Sequence, residues 1–347
     1  MTQDVLTFTE GRVGRIRLNR PKALHALTTA MCKAMTEALV AWRSDAAVEA
    51  VIVDHAEGRG FCAGGDVLML RDSGAGDGER AREFFFEEYR LNHLLFTYAK
   101  PVVAFMDGVT MGGGVGISQP ARYRVATENT RFAMPETTIG LFPDVGGGWY
   151  LSRLPGRVGQ FLALTGARLD GAECLHLGLA THYIASDGLD ALKAQIVAEP
   201  QRIESLLAAA STEPGPARIA GSRADIDRLF AADDYEAILA ALEADGGEWA
   251  QKELKTLRAK SPQACKVSLR LLYDGALMQS FADEMRQEYA VACRVVQRPD
   301  FAEGVRALLV DKDNAPRWDP PTPEEVTTHL IDRIFAPLPE DEQWTPV

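Results

Sequence analysis

Two glycine-rich turns, each following a short apolar run, constrain this chain more than any other feature. The first is Phe61-Cys62-Ala63-Gly64-Gly65-Asp66 and the second is Met111-Gly112-Gly113-Gly114-Val115-Gly116. Glycine lets a backbone pass close to a ligand, and N–H groups beyond such a turn can point at an anion or a polarised carbonyl. Two donors from separate loops would make an oxyanion hole. The structural alternative is tight backbone packing between layers. Neither turn is a P-loop, because no Gly-Lys-Ser/Thr follows, and neither has the spaced glycines of a dinucleotide fingerprint.

The context of the turns is rhythmic. Val5–Thr9 and Val13–Leu18 read as a hairpin, with Ile16 and Leu18 alternating with Arg15 and Arg17. Thr28 is placed to cap a helix whose apolar stripe is Met31, Met35, Ala38, Leu39 and Trp42. A buried strand at Ala50–Asp54 leads into the first Gly-rich loop. A helix over Glu79–Ala99 and a strand at Val102–Phe105 lead into the second. Short strands are expected at Tyr123–Ala126, Arg131–Ala133 and Ala180–Ile184. Beyond residue 187 the pattern is helical almost throughout, with Ser261-Pro262 as an N-cap and first-turn pair and a helix over Phe281–Arg298 stopped by Pro299. The sequence therefore predicts an α/β part over residues 1–187 and a helical region over 188–347, with an extended Pro-rich tail at Asn314–Pro323.

Bulk properties exclude several classes. A net charge of −12 argues against nucleic-acid binding, which needs a basic surface. No apolar run approaches the roughly 20 residues of a membrane span. The polar N-terminus and five scattered cysteines, without a CxxC pair, predict neither a secretory signal nor a disulfide framework nor a zinc site, and cytoplasm is the expected compartment. The six histidines form no HxxxH or HExxH pair, so no metal is expected, and no GxSxG elbow is present. Cys62 reads as a packed small residue rather than a nucleophile.

Three carboxylates stand out. Glu136 and Asp144 lie in Met134-Pro135-Glu136-Thr137-Thr138-Ile139-Gly140-Leu141-Phe142-Pro143-Asp144-Val145-Gly146-Gly147-Gly148, a segment otherwise apolar, small or proline-kinked. Such surroundings desolvate a carboxylate and raise its pKa toward a useful acid–base range. A capping role for Glu136 and a turn role for Asp144 are the structural alternatives. Glu88 falls in line with Ala81, Phe84, Leu91 and Leu95 on the buried face of its helix, where it needs a partner, a cavity or a ligand. A salt bridge would be the structural explanation.

At these residues the chain resembles the crotonase (enoyl-CoA hydratase/isomerase) superfamily. The resemblance is carried by Asn19-Arg20-Pro21-Lys22-Ala23-Leu24-His25-Ala26-Leu27, by Gly60–Asp66 and by the triple glycine Gly112–Gly114, in matching order and spacing. It implies an α/β fold, a crotonase-type spiral of ββα units with a helical C-terminal region. It also implies CoA-thioester binding around Ala63, Gly65 and Asp66, and an oxyanion hole from the Gly65 and Gly113 N–H groups.

Hydratases of this type carry one Glu three residues after the middle glycine of the triple, and a second in the Pro-Glu segment. Here Gly116 occupies the first position, Glu136 is retained, and Asp144 stands where many hydratases have glycine. With Phe85-Phe86-Glu87-Glu88-Tyr89, and a tail from Asp311-Lys312-Asp313-Asn314 through Glu325-Val326, this is similar to 3-hydroxyisobutyryl-CoA hydrolases. The similarity implies hydrolysis of a short 3-hydroxyacyl-CoA, 3-hydroxyisobutyryl or 3-hydroxypropionyl, in valine catabolism. Glu136 would be the principal carboxylate, as nucleophile or general base. Asp144 would be its partner and Glu88 an acyl contact, with Gly113 shared between oxyanion hole and substrate binding. No cofactor is expected, because CoA belongs to the substrate, and a homo-oligomer is an open expectation. The alternatives are a hydratase or isomerase of short acyl-CoAs that uses Glu136 alone, and a non-catalytic binding member of the fold.

Overall fold

The computed structural model describes residues 3–347. The chain begins with the expected hairpin, β1 (Val5–Glu10) and β2 (Val13–Leu18), paired antiparallel. Seven further strands follow: β3 (Ala50–His55), β4 (Gly60–Cys62), β5 (Val102–Met106), β6 (Val109–Met111), β7 (Tyr123–Ala126), β8 (Arg131–Ala133) and β9 (His182–Tyr183). They form two sheets. One has the order β1-β2-β3-β5-β7-β9 and the other the order β4-β6-β8.

This division generates the spiral. Each pass of the chain puts a longer strand into the six-stranded sheet and the following three-residue strand into the small one. A helical segment then returns the chain to the next pass. Apart from the opening hairpin the pairings are parallel, so each crossover must run back along the sheet, which helices do. Parallel pairing also requires β3 and β5 to be covered on both faces. All of β5 and all but the last residue of β3 are buried, as continuous apolar runs such as Val102-Val-Ala-Phe-Met106 allow.

Of the three strands of the small sheet, β8 lies where the sequence places it, and β4 and β6 have no counterpart among the expected strands. Gly60-Phe61-Cys62 is wholly buried and too short for any alternation to show, and Val109–Met111 is equally short. Their arrangement is what positions chemistry. With Gly60 paired to Val109, and Val109 to Arg131, the three strands run side by side in one direction. Their carboxyl ends therefore deliver the first Gly turn, the second Gly turn and the Pro-Glu segment to one place.

Helix Thr29–Ser44 starts where expected: the Thr28 side chain accepts from the Met31 N–H, and Met31, Met35, Leu39 and Trp42 are buried. The long helix Glu79–Phe96 buries Ala81, Phe84, Leu91 and Leu95 together with Glu88, Tyr89 and Asn92. The last strand, β9, is shorter than the Ala180–Ile184 expected. From Ser186 onward the chain is helical almost throughout. Helix Pro262–Leu277 has the expected Ser261 cap. Helix Phe281–Val295 ends short of the expected Arg298, and Pro299 opens a new helix, Pro299–Val305, at a position where its missing N–H costs nothing. These late helices pack onto helix Glu79–Phe96 and onto helix Gly147–Leu151, and so close the back of the carboxylate cluster.

Candidate active site

The two Gly turns meet. A Cβ built on Gly113 would sit 3.3 Å from the Gly64 carbonyl carbon, the atom bonded to the Gly65 nitrogen. Gly113 is the first residue of helix Gly113–Ser118, where an N–H has no partner within the helix. Among the described residues, neither the Gly65 nor the Gly113 N–H donates to a backbone carbonyl. Two free donors from separate loops are thus adjacent, the arrangement an oxyanion hole needs. Gly113 could not be larger: its Cβ would strike Glu88 Oε1 and lie 3.1 Å from Leu27 Cδ1. Gly65 is equally constrained, its Cβ falling 2.8 Å from the Phe84 ring.

The carboxylates gather around this pair. Gly112, with φ +48°, would place a Cβ 3.2 Å from Glu136 Oε1. Glu136 therefore lies against one end of the Gly112–Gly113 peptide and Glu88 against the other. Glu88, Glu136 and Asp144 are all buried, at 2%, 5% and 5% exposure. Glu88 Oε1 and Glu136 Oε2 have no hydrogen-bond partner among the described residues. Among the described residues no arginine or lysine pairs with any of the three, so the salt bridge considered for Glu88 is not what holds it there.

Burial without a paired cation shifts all three pKa values upward, with Lys260 opposing the shift of Glu136 only weakly. Glu88 and Glu136 are raised well above the ordinary carboxylate value, first by desolvation and next by the neighbouring Asp144. Asp144 is raised to about 6 by desolvation, opposed by the hydrogen bond that the Tyr89 hydroxyl donates to Oδ2 at 2.8 Å. A carboxylate held in such a state is a stronger base than a solvated one. Cys62, beside the first turn, is buried, and desolvation pushes its thiol up to about 12, so it packs as expected and supplies no thiolate.

Asp144 is set by unusual backbone. Val145, the next residue, has φ +54°, a conformation that costs a β-branched residue about 1–3 kcal/mol. The strain is held in place by packing: a Cβ at Gly116 would lie 2.6 Å from Val145 Cβ. Gly116 is therefore required by its neighbour. From the other side Glu288 accepts from the Gly146 N–H at 2.8 Å and the Gly148 N–H at 3.2 Å, tying down the loop that carries Asp144.

The remaining candidates lie at the rim. Asp66 accepts from the Met69 N–H as the cap of helix Val67–Gly74 and pairs with Arg20 at 3.0 Å, and the Ala63 N–H donates to the Leu24 carbonyl. Both are half-buried. They stand beside the first Gly turn and outside the carboxylate cluster.

A model of the enoyl-CoA hydratase/isomerase family matches residues 13–335. The chain belongs to that family. The 3-hydroxyisobutyryl-CoA hydrolase, mitochondrial, of Xenopus tropicalis is 42% identical over 344 residues, covering 96% of this chain and 89% of the relative. The human protein of the same name is 40% identical over 345 residues, covering 97% and 89%. A carnitinyl-CoA dehydratase from Mycobacterium thermoresistibile has the same architecture, with a TM-score of 0.94 at 42% identity over 99% of each chain. The crotonase-type spiral with its helical C-terminal region, expected from the motifs, is the fold of this enoyl-CoA hydratase/isomerase family member.

One expectation is overturned. The frog and human relatives are named mitochondrial, which contradicts the cytoplasmic assignment. That assignment used scattered cysteines, all five of them buried and free. Free cysteines fit any reducing compartment and single out none.

Some residues around the site of this family member escape sequence reasoning. Tyr89 stands out there only as part of a motif, although it directly follows Glu88. Asn92, one turn beyond Glu88 on the same buried face, carries a signal in being polar there. Glu284 and Glu288 interrupt the apolar stripe of helix Phe281–Val295 in the same way. Tyr89 yields a pH prediction. Its hydroxyl holds the Asp144 pKa down, so Tyr89→Phe should raise it further above about 6. The acid limb of the kcat/KM profile should move up by about half a unit to one unit, with activity near pH 8 reduced less than about tenfold. A superimposable acid limb in the two enzymes would exclude Asp144 from the titrating pair.

Proposed function

We propose that this chain hydrolyses short 3-hydroxyacyl-CoA thioesters, 3-hydroxyisobutyryl-CoA or 3-hydroxypropionyl-CoA, to the free acid and CoA, as a step of valine catabolism. The observation that carries the reading is Glu136, buried and unpaired against Gly112, one peptide from the free Gly113 N–H. Names of full-length relatives at about 40% identity give the substrate class.

The thioester carbonyl oxygen is received by the Gly65 and Gly113 N–H groups, which stabilise the charge that develops as the carbon becomes tetrahedral. Glu136 supplies the base. It takes a proton from water, whose hydroxide adds to the carbonyl carbon, or its own oxygen adds to give a mixed anhydride that water then opens. In both routes the C–S bond breaks, and the thiolate leaves with its charge neutralised by a proton. Asp144, oriented by Tyr89, positions water or the acyl hydroxyl, and Glu88 lines the acyl pocket beside Gly113.

The likeness to a carnitinyl-CoA dehydratase favours a second reading, addition or removal of water at an acyl-CoA double bond. Gly116 weighs against it, since Val145 and Asn92 fill the space a second acid–base side chain would enter. A free-thiol assay decides between the two. 3-Hydroxyisobutyryl-CoA should release thiol and crotonyl-CoA should lose no enoyl absorbance. Hydration of crotonyl-CoA without thiol release from either ester would overturn the proposal.

A further inference from the structure

We infer that the Asn92 side-chain amide is a specificity-determining group that receives the acyl 3-hydroxyl, so that this residue distinguishes 3-hydroxyacyl from plain acyl thioesters. The inference rests on the hydrolase reading above; it gives the acyl hydroxyl to Asn92 and leaves water to Asp144.

Asn92 is fully buried, and neither Nδ2 nor Oδ1 has a hydrogen-bond partner among the described residues. An amide has two donors and an acceptor, and burying it unpaired is costly enough that folded chains rarely do so. The residue is held among the three elements that build the site. It lies one turn past Glu88 on the same helix, roughly 6 Å further along the axis. Its Nδ2 and Oδ1 would be 2.8 and 3.1 Å from a Cβ at Gly116, which is one turn past Gly113 on the facing helix. Val145, the neighbour of Asp144, closes the third side against the same glycine.

Two rungs follow: Glu88 opposite Gly113 at the thioester carbonyl, and Asn92 opposite Gly116 one turn deeper. A 3-hydroxyl stands two carbons beyond the carbonyl carbon, which is the reach from the first rung toward the second. The amide fits this group because a hydroxyl both donates and accepts, and Asn92 offers one atom of each kind. It carries no charge, so it adds no fourth carboxylate to a cluster whose members already raise each other's pKa values.

The test compares 3-hydroxyisobutyryl-CoA with isobutyryl-CoA, which differs only in lacking the hydroxyl, in thiol release by the full-length enzyme. The near-isosteric Asn92→Leu should lower kcat/KM for the hydroxyacyl ester about 10- to 100-fold and change that for isobutyryl-CoA by less than about threefold. Its Tm should equal or exceed that of the unsubstituted enzyme, because an unpaired buried amide has been removed. Asn92→Ser, smaller and still polar, gives a second comparison if leucine does not pack, and should retain part of the selectivity. An equal fall for both esters in both variants, or selectivity unchanged in both, would overturn the assignment. Should the unsubstituted enzyme release thiol from neither ester, the hydrolase reading itself fails, an outcome visible before any variant is made.

Discussion

Replacing Glu136 by glutamine is expected to lower kcat for thioester hydrolysis by roughly 10³-fold or more, while affinity for the CoA ester changes little. Glutamine keeps the shape of the side chain against Gly112 but can neither accept a proton nor add to a carbonyl. The fold should not suffer. Burial raises the Glu136 pKa above its ordinary value of 4.5. For a raised carboxyl, the stabilising contribution is complete below about 4.5 and is lost as pH rises through the folded value. Glutamine never ionises, so at pH 8 the variant's Tm should match or exceed that of the unsubstituted enzyme. Thermal unfolding beside single-turnover kinetics therefore separates lost chemistry from lost structure. Activity within about tenfold of the original would remove Glu136 from its role. One turnover in ¹⁸O-labelled water can reveal the anhydride route: label entering the Glu136 side chain reports an anhydride opened at the Glu136 carbonyl, whereas label only in the product acid fits direct water attack and an anhydride opened at the acyl carbonyl alike.

Gly113→Ala should be the second severe change, with kcat reduced about 10²–10³-fold. Backbone conformation is not the obstacle, because Gly113 has helical geometry and no positive φ. The added methyl would collide with Glu88 Oε1 and press on Leu27 and the Gly64 carbonyl carbon. It would therefore spread the two turns, and a displacement of some tenths of an ångström is enough to misalign preorganised donors. Glu88→Ala in the same chain removes the sharpest contact. If the collision with Glu88 destabilises Gly113→Ala, the double variant should regain stability while its kcat stays low through the Gly64 contact. Full activity in Gly113→Ala would mean that this N–H does not receive the carbonyl.

Much of this site can be read from the residues because its signals are local anomalies. Glycine runs after apolar runs, a carboxylate in the stripe of the Glu79–Phe96 helix, and two more in an apolar proline-kinked segment each break a pattern within a few positions. Tyr89, Asn92, Glu284 and Glu288 are harder. Tyr89 matters because its hydroxyl reaches Asp144, 55 residues away in the chain. Glu288 matters because it accepts from loop N–H groups about 140 residues upstream. Periodicity reports that such a side chain faces inward and says nothing about what it faces. Strands β4 and β6 escape for a different reason, being three residues long and too short to show a period.

The sequence by itself determined which chemical groups are available: two glycine turns able to free an N–H, three carboxylates in apolar company, and a glycine at residue 116. It also implied the family through the order and spacing of those groups. Only the tertiary structure decided that they act together. Parallel hydrogen bonding of β4, β6 and β8 brings three separated segments to the same sheet end, and the late helices seal them from water. Desolvation, which raises the pKa values of Glu136 and Asp144, is a property of that enclosure and of no residue alone. The two glycine turns determine where a backbone can come close, and the enclosure determines what it comes close to.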